Sequence, residues 1–326
     1  MRRPLTALAV LCALLAGCGE KEERLAPGAA EPFELMLDFF PNADHAPIYA
    51  AEAGGHFKDV GLDVEIRQPP DPAAPIKQVA AGRTDLAISY EPEVLRARDQ
   101  GLRVQSVGAL VQAPLTSIIS LPPAGIRTPE DLDGKVVGTA GIDYQSAYLD
   151  AISKRAGAKV EQRDVGFNLS SALLTQRVDA VLGAFWNYEG TDLRLRGRNP
   201  QIIRIEQAGV PTYDELVFVA RDAEEDDRIR RFLAAVERGV DDLRRQPDTA
   251  LDGLLEANRD LDPRLQREVL DVTLPLFQPP RGKPYGWQEP REWNDFAGWM
   301  RDNELLENTV GASGAYTNEY LPGQGP

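Results

Sequence analysis

The sequence predicts an α/β protein of two lobes, joined by two chain crossings, with a ligand cleft between the lobes. Segments of strand type alternate with helical segments from Phe33 onward, and a complete second series begins after the Pro-rich break "LPPAG". After Arg221 the alternation stops and helical patterns dominate. Such alternation builds βαβ units and a mostly parallel sheet. The break favours two lobes over the alternative, which is one long doubly wound domain.

The chain opens with the pattern of a secretion signal. Two arginines precede an apolar run from Leu5 to Leu15, which is too short to span a bilayer. "LAGC" resembles a bacterial lipobox, so we expect residues 1–17 to be removed and Cys18 to carry the lipid. An ordinary signal with a chance cysteine is the alternative. Residues 18–31 are charged and then rich in Gly, Ala and Pro, which predicts a flexible tether to the membrane.

The composition of the remaining chain excludes several classes of site. Cys12 leaves with the signal and Cys18 becomes the anchor, so no thiol remains for a disulfide, a nucleophile or a metal. His45 and His56 form no metal-ligand motif. Loss of the two arginines takes the formal charge from −15 to −17, which argues against nucleic acid. We therefore expect an extracytoplasmic monomer without metal or cofactor.

The first series forms lobe 1, in which each predicted helix connects two predicted strands. The strands are "FELMLDFF", "LDVEIRQ", "DLAISY" and "VQSVGALVQ", and the helices are "APIYAAEAG", "APIKQVAAG" and "PEVLRARDQG". Glycines stand where the first two helices need a C-terminal stop. The first part of lobe 1 is predicted over residues 32–119.

The second series forms lobe 2, predicted over residues 120–217. It opens with "TPEDLDG", in which Thr128 is a candidate helix N-cap followed by proline and acids. Its strands are "KVVGTAG", "VEQRDVG", "DAVLGAFW" and "QIIRIE", and its helices are "QSAYLDAISKRAG" and "SSALLTQRV". The strand "ELVFVA" and four helical segments return the chain to lobe 1 over 218–326. The crossings are predicted near Ser117–Leu121 and Leu216–Ala220.

Aromatic side chains, carboxylates and amides collect where the predicted strands end. Ligands of α/β folds bind at the carboxyl ends of strands, in the crevice between lobes. The groups are Asp38-Phe39-Phe40-Pro41-Asn42, Ser89-Tyr90-Glu91, Gly138 to Tyr144, Trp186-Asn187-Tyr188-Glu189 and Tyr213-Asp214-Glu215. No group supplies a lysine or arginine, which a receptor for an anion would need. Rings flanked by hydrogen-bond acceptors suit a planar N–H donor such as an aminopyrimidine.

Each of these residues also has a purely structural interpretation. Phe39 and Phe40 continue a strand, so at least one ring should pack in the core, and the preceding aspartate could cap the next turn. Trp186 alternates with Phe185, so one of the two should face the packed interior. Glu189 could be an acid at the start of a helix, where the helix dipole favours it. The coincidence of the groups at strand ends favours a binding site.

Five segments carry a resemblance to a known family. "LDFFPNADHAPIYAAEAGGHFKDVGLDVEI", "GRTDLAISYEPEV", "FWNYEG", "PTYDELVFVA" and "YTNEYLP" resemble the NMT1/THI5-like binding proteins of thiamine-precursor ABC transporters. The resemblance implies a type II periplasmic-binding fold and capture of formylaminopyrimidine or hydroxymethylpyrimidine. It implies contacts from Asp38, Phe39, Tyr188 and Glu189. The position of Phe39 is commonly tryptophan in the family, and riboflavin receptors resemble it too, so riboflavin is an alternative ligand.

The same fold contains an enzyme, the fungal hydroxymethylpyrimidine phosphate synthase, which sacrifices its own histidine. Its pattern uses a lysine to hold pyridoxal phosphate, a histidine four residues later, and a cysteine-rich motif. Here Ser89 aligns with the lysine and Glu93 with the histidine, and "TYDELVFVA" takes the place of the cysteines. A Schiff base needs an amine, which serine lacks. The sequence therefore does not predict this enzyme.

The sequence predicts a solute-binding lipoprotein of an ABC importer that captures its ligand by lobe closure. It would deliver the ligand to a membrane permease with its ATPase. The expected ligand-binding residues are Asp38, Phe39, Tyr90, Glu91, Tyr144, Trp186, Asn187, Tyr188, Glu189 and Asp214. Tyr188 should stack on the ring opposite Phe39, and Trp186 should wall the site. Glu189 and Asp38 should accept N–H groups. A receptor for another solute and an extracytoplasmic enzyme are the alternatives.

Overall fold

Two five-stranded sheets form the framework of the protein, one in each lobe, which confirms the predicted fold class. The computed structural model describes residues 30–222, 226–308 and 312–323. The predicted signal, the lipidated cysteine and nearly all of the tether lie outside these residues. Within the described ranges, no helix is both long and apolar enough to cross a membrane.

The predicted strands and helices occur in the predicted order, with ends shifted by a few residues, and the short helix His56–Asp59 is additional. The strands are β1 (Glu31–Met36), β2 (Leu62–Arg67), β3 (Leu86–Ser89), β4 (Val104–Val111), β5 (Thr116–Ser120), β6 (Val136–Thr139), β7 (Glu161–Asp164), β8 (Ala180–Phe185), β9 (Gln201–Arg204) and β10 (Leu216–Arg221). The helices are α1 (Ala46–Ala53), α2 (His56–Asp59), α3 (Ala74–Ala80), α4 (Glu91–Asp99), α5 (Asp143–Ala156), α6 (Leu169–Leu174), α7 (Glu189–Leu195), α8 (Asp227–Arg245), α9 (Pro247–Ala257), α10 (Pro263–Thr273) and α11 (Pro290–Asp302). Thr128 caps only a 3₁₀ turn, Pro129–Leu132, and not a full helix.

Each sheet is mixed, which differs from the mostly parallel sheet that we predicted. The strand order is β2-β1-β3-β10-β4 in lobe 1 and β7-β6-β8-β5-β9 in lobe 2. Strand β10 runs antiparallel to its neighbours, and so does β5. Each of these strands is the first after a crossing. It enters its sheet from the edge where the parallel strands end, and therefore runs against them.

The chain crosses between the lobes earlier than predicted. Strand β4 ends at Val111 and β5 begins at Thr116, so the first crossing is residues 112–115. The second is residues 205–215, between β9 and β10. The apolar runs at the predicted crossings are the strands β5 and β10 themselves. The predicted lobe boundaries therefore move upstream, and the first strand begins at Glu31, inside the predicted tether.

A buried carboxylate ties the two crossings together. Glu215, fully buried, accepts the backbone N–H groups of Leu115 at 2.7 Å and Thr116 at 2.8 Å through Oε2. The Tyr213 hydroxyl donates to the same oxygen at 2.9 Å, and the Thr116 hydroxyl donates to Oε1 at 2.9 Å. Burial raises the pKa of Glu215 to about 7, although these donors oppose the shift. Glu215 thus links the two segments that connect the lobes.

Helix α8 follows β10 in lobe 1 and supports the segment between β1 and α1, which lines the cleft. Phe232 on its buried face stacks on Phe33 of β1 and on Phe57 of α2. Gly239 lies at the closest approach of α8 to α1, where a methyl group would stand 2.1 Å from the Pro47 carbonyl oxygen. This close contact holds the N-terminal end of α1, directly after the turn that faces the cleft.

Candidate functional site

A cavity with about 460 Å³ of empty space, including its mouth, lies between the two lobes. Its walls come mainly from residues that follow the parallel strands of both sheets. Five of the ten predicted site residues line it: Asp38, Phe39, Tyr90, Tyr188 and Glu189. Their contacts with a ligand remain a prediction.

Asp38 follows β1 and is held by two side chains of lobe 1. Its Oδ1 lies 2.8 Å from Nε2 of His45, and its Oδ2 accepts the Tyr90 hydroxyl at 2.8 Å. Nδ1 of His45 accepts the backbone N–H of Asn42 at 3.2 Å, which leaves the ring proton on Nε2, facing Asp38. Each carboxylate oxygen keeps a lone pair for a further donor. Asp38 is therefore a fixed acceptor at the cavity wall.

Glu189 begins α7 on the lobe 2 side and is also buried. Its Oε2 accepts the backbone N–H of Phe185 at 2.7 Å. Burial raises its pKa to about 8, with the nearby Asp44 and Asp192 adding to the rise and backbone N–H groups opposing it. Glu189 thus begins a helix, as its structural interpretation predicts, and also lines the cavity. A ligand that donates N–H groups would favour the ionised form.

Acidic and aromatic groups dominate the cavity. Asp38, Asp44 and Glu189 line it, whereas none of the described lining residues is a lysine or arginine. An anionic solute would be desolvated there without a cationic partner, at a high cost in free energy. A flat molecule that donates N–H groups would instead find acceptors at both lobes and rings to stack on.

Aromatic rings beside the cavity connect the lobes. Phe39 and Phe40 of lobe 1 contact Phe167 of lobe 2, with ring centroids 4.9 Å and 4.6 Å apart. Deeper in the cleft, Tyr90 of lobe 1 lies 5.4 Å from Tyr144 of lobe 2. The lobes are therefore in contact, and Phe40 remains 40% exposed at the rim.

Trp186 does not line the cavity, in contrast to its predicted place. Its Nε1 donates to the Pro114 carbonyl at 3.1 Å, and the Arg204 guanidinium lies 4.1 Å from its ring centroid. Phe185 lines the cavity instead. Neighbouring residues of a strand point to opposite faces, so only one of the two rings can reach the site.

Glu91, Tyr144, Asn187 and Asp214 also lie outside the cavity. Oε2 of Glu91 accepts the backbone N–H of Asp214 at 2.8 Å, and Oδ2 of Asp214 accepts the Trp293 indole N–H at 2.9 Å. The Tyr144 ring packs behind Tyr90. Asn187 points toward lobe 1, where its side-chain N–H groups donate to Asp44 and Thr273. These side chains lie behind the wall of the cavity and contact other protein groups there.

Several residues of the cavity are absent from the sequence prediction, among them Asp44, Gln145 and Gly183. Gly183 has φ +98° at a bulge of β8 opposite β5, and a Cβ there would stand 2.3 Å from Nε2 of Gln145. Gln145 Oε1 in turn accepts the backbone N–H of Ala140 at 2.8 Å. A glycine inside an apolar strand was the available signal. It brings the Gln145 amide against the strand at the cavity wall.

Ser89 and Glu93, the positions aligned with the catalytic lysine and histidine of the fungal enzyme, contact each other. The Ser89 hydroxyl donates to Oε2 of Glu93, and both side chains are buried. Burial raises the pKa of Glu93 to about 7. The two side chains satisfy one another, and neither lines the cavity.

The unliganded protein is expected to become less stable as the pH rises from 6 to 8. Burial raises the pKa values of six carboxyl groups near the cleft and the crossings. The pKa is raised to about 6 for Asp44, to about 7 for Glu93, Asp214 and Glu215, to about 8 for Glu189, and well above its usual value for Glu91. The folded state therefore binds more protons than the unfolded state between pH 4.5 and 8, and this stability is lost as the pH rises through the folded pKa values.

Urea unfolding at pH 6 and pH 8 measures this effect. We expect the free energy of unfolding to be at least about 2 kcal/mol higher at pH 6, because one pKa unit corresponds to about 1.4 kcal/mol per group. Equal values at the two pH values, or a higher value at pH 8, would show that these carboxyl groups are not protonated in the folded protein.

Known proteins similar to this chain share its length and its fold. A family model described as NMT1/THI5 like matches residues 42–250. The chain is 35% identical over 300 residues to the formylaminopyrimidine-binding protein of Halalkalibacterium halodurans, a match that covers 89% of this chain and 91% of that protein. It is 37% identical to a thiamine biosynthesis protein of Haemophilus influenzae, over 76% of this chain and 81% of that protein.

More distant similarities include an enzyme and a sulfonate-binding protein. The 4-amino-5-hydroxymethyl-2-methylpyrimidine phosphate synthase of Legionella pneumophila is 24% identical, over 88% of this chain and 92% of the enzyme. The alkanesulfonate-binding protein SsuA of Xanthomonas axonopodis superposes with a TM-score of 0.67 at 17% identity, over 89% of this chain and 99% of that chain. The second similarity shows the periplasmic-binding-protein fold alone.

Proposed function

Because this chain belongs to the NMT1/THI5-like family, we propose that it is a solute-binding lipoprotein of an ABC importer and captures a pyrimidine precursor of thiamine. The ligand would be formylaminopyrimidine or hydroxymethylpyrimidine. The observation that carries the proposal is the cavity between the lobes, where buried carboxyl groups and aromatic rings meet without a lysine or arginine among the described lining residues.

The cavity suits an aminopyrimidine in three respects. Glu189 on lobe 2 is able to accept the exocyclic amine and, if the ring is protonated, the neighbouring ring N–H as well. Asp38 on lobe 1 is held as a second acceptor by His45 and Tyr90. Phe39 and Tyr188 line the same cavity and supply rings for stacking, worth about 0.5–1.5 kcal/mol for each aromatic pair beyond the buried area.

Capture would proceed by closure of the lobes about the two crossings. A ligand bound to acceptors on both lobes favours the closed form over the open one, because only the closed form offers both sets of contacts. The permease would then recognise the closed form. Lipidation at Cys18 would keep the receptor at the membrane, close to that permease.

Riboflavin is the second candidate ligand. Its isoalloxazine ring is flat and carries an imide N–H, so it would meet the same rings and acceptors. Phe39, which stands where the family commonly has tryptophan, leaves a smaller stacking surface, and this departure from the family pattern keeps the alternative in place. An enzymatic role is disfavoured because Ser89 cannot form a Schiff base and its hydroxyl is hydrogen-bonded to Glu93.

Calorimetric titration of the mature chain without its lipid tests the proposal. The ligands are formylaminopyrimidine, hydroxymethylpyrimidine and riboflavin, added to protein that has been unfolded, stripped of bound solute and refolded. We expect saturable binding of one or both pyrimidines with one site per chain. Binding of riboflavin alone would support a receptor function but show that the ligand is riboflavin and not a pyrimidine. If the folded protein binds none of the three ligands, the proposed function is overturned.

A further inference from the structure

Asp44 stands at the junction of the cavity and the contact between the lobes. It lies in the 3₁₀ turn Ala43–His45 between β1 and α1, where Asn42 caps the turn by accepting the backbone N–H of Asp44 at 2.8 Å. The side chain is 1% exposed and lines the cavity. The turn thus fixes a carboxyl group at the lobe 1 wall.

One oxygen of this carboxyl group connects the lobes. Oδ1 accepts the side-chain N–H of Asn187 at 2.6 Å, and Asn187 lies on lobe 2 directly before the site residues Tyr188 and Glu189. The same amide nitrogen donates to the Thr273 hydroxyl of lobe 1 at 2.7 Å. Both N–H groups of Asn187 are therefore committed to lobe 1. This contact can exist only while the lobes are together.

The other oxygen has no such partner. Oδ2 of Asp44 is buried and accepts no hydrogen bond from the described residues. A buried carboxylate oxygen without a donor is destabilising, because the hydrogen bonds that it makes to water in the unfolded chain are not replaced. The pKa of Asp44, raised by burial to about 6 although His45 and Asn187 oppose the rise, still leaves the group mainly ionised at neutral pH. A donor from a ligand in the cavity would remove the cost.

From this geometry we propose that Asp44 binds the ligand through Oδ2 while Oδ1 holds Asn187, so that one carboxylate couples ligand recognition to lobe closure. The inference rests on the proposed function and deepens it. The ligand must then donate N–H or O–H groups in more than one direction, toward Asp44 and Asp38 on lobe 1 and toward Glu189 on lobe 2. A solute with a single donor edge would leave one of these carboxylates unsatisfied.

The variant Asp44→Asn tests the coupling. The amide oxygen of the new side chain can still accept from Asn187, but its NH₂ group then replaces Oδ2 and opposes the donors of the ligand. We expect the affinity for hydroxymethylpyrimidine, measured by calorimetry, to fall at least tenfold, as for a charged hydrogen bond. The thermal midpoint of the unliganded variant should not fall, because a buried charge has been removed.

Asp150→Asn is the matched control, because Asp150 also accepts a side-chain amide at 2.6 Å but lies exposed on lobe 2. It should bind as the natural protein does. If the Asp44 variant binds within twofold of the natural protein, the role of Asp44 is overturned while the proposed function stands. If the natural protein binds no pyrimidine, both are overturned.

Asn187→Ala provides a second test should the Asp44 variant fail to fold. It removes the bond between the lobes and leaves Oδ2 unchanged. We expect weaker binding by about fivefold or more and a larger radius of gyration without ligand, measured by small-angle X-ray scattering. Unchanged affinity together with an unchanged radius would overturn the coupling of Asp44 to closure.

Discussion

Glu189→Gln is expected to weaken binding of the pyrimidine about 100-fold. The ionised carboxylate would accept the amine and the protonated ring N–H of the ligand, whereas the amide has one acceptor and turns a donor toward the other N–H. Two charged hydrogen bonds lost or opposed correspond to about 3 kcal/mol. The fold should tolerate the change, because the amide oxygen can still accept the backbone N–H of Phe185 and burial raises the pKa of the native carboxyl group, so its neutral form is favoured without ligand.

Calorimetric titration and thermal unfolding of the variant separate binding from stability. Glu161→Gln is the control, since Glu161 is exposed on β7 in the same lobe and should bind normally. A Glu189 variant that is folded and binds like the natural protein would exclude Glu189 as the ligand acceptor. Equal weakening in the control would point to the overall charge instead of the site.

Glu215→Ala is expected to lower the free energy of unfolding by about 3–5 kcal/mol. The change leaves two backbone N–H groups, at Leu115 and Thr116, and the hydroxyls of Thr116 and Tyr213 without their acceptor. Removing the partner of buried donors costs more than the net value of the hydrogen bonds themselves. The loss falls at the crossings, so closure should suffer together with the fold.

Urea unfolding at pH 7 measures the effect. Glu206→Ala serves as the control, because Glu206 is exposed in the same crossing and its removal should change stability by less than about 0.5 kcal/mol. A change for Glu215→Ala as small as for the control would mean that the crossings do not depend on this carboxylate.

The sequence predicts the order of the elements well because apolar periodicity is a local signal. The sequence does not locate the crossings, because β5 and β10 would show the same apolar pattern in either lobe. Their antiparallel direction is likewise invisible in the residues. It follows from the edge at which the chain enters each sheet, which is a property of the whole topology.

The site could be predicted where a strand end alone determines it. Asp38, Phe39 and Glu189 follow or adjoin apolar runs, and they line the cavity. Alternation also requires that only one of Phe185 and Trp186 faces the cleft. It does not say which, because the bulge at Gly183 shifts the register of β8 against β5.

Contacts between distant segments account for the remaining differences. Asn187 stands next to Tyr188 and Glu189 in the sequence, which suggested a ligand contact. Its side-chain N–H groups instead donate to Asp44 and Thr273, which lie 143 and 86 residues away in the chain. Asp44 shows no pattern of its own and becomes part of the cavity only because lobe 2 closes over it. Such pairs depend on how the two lobes meet.

A crystal structure of the chain with formylaminopyrimidine or hydroxymethylpyrimidine would show whether the pyrimidine binds in the cavity between the lobes. We expect the ring to lie between the lobes next to Phe39 and Tyr188, with its amine within hydrogen-bond distance of Glu189 and a further donor facing the lobe 1 carboxylates. A pyrimidine bound outside this cavity, or bound inside it without a contact to any of the three carboxyl groups, would contradict the account.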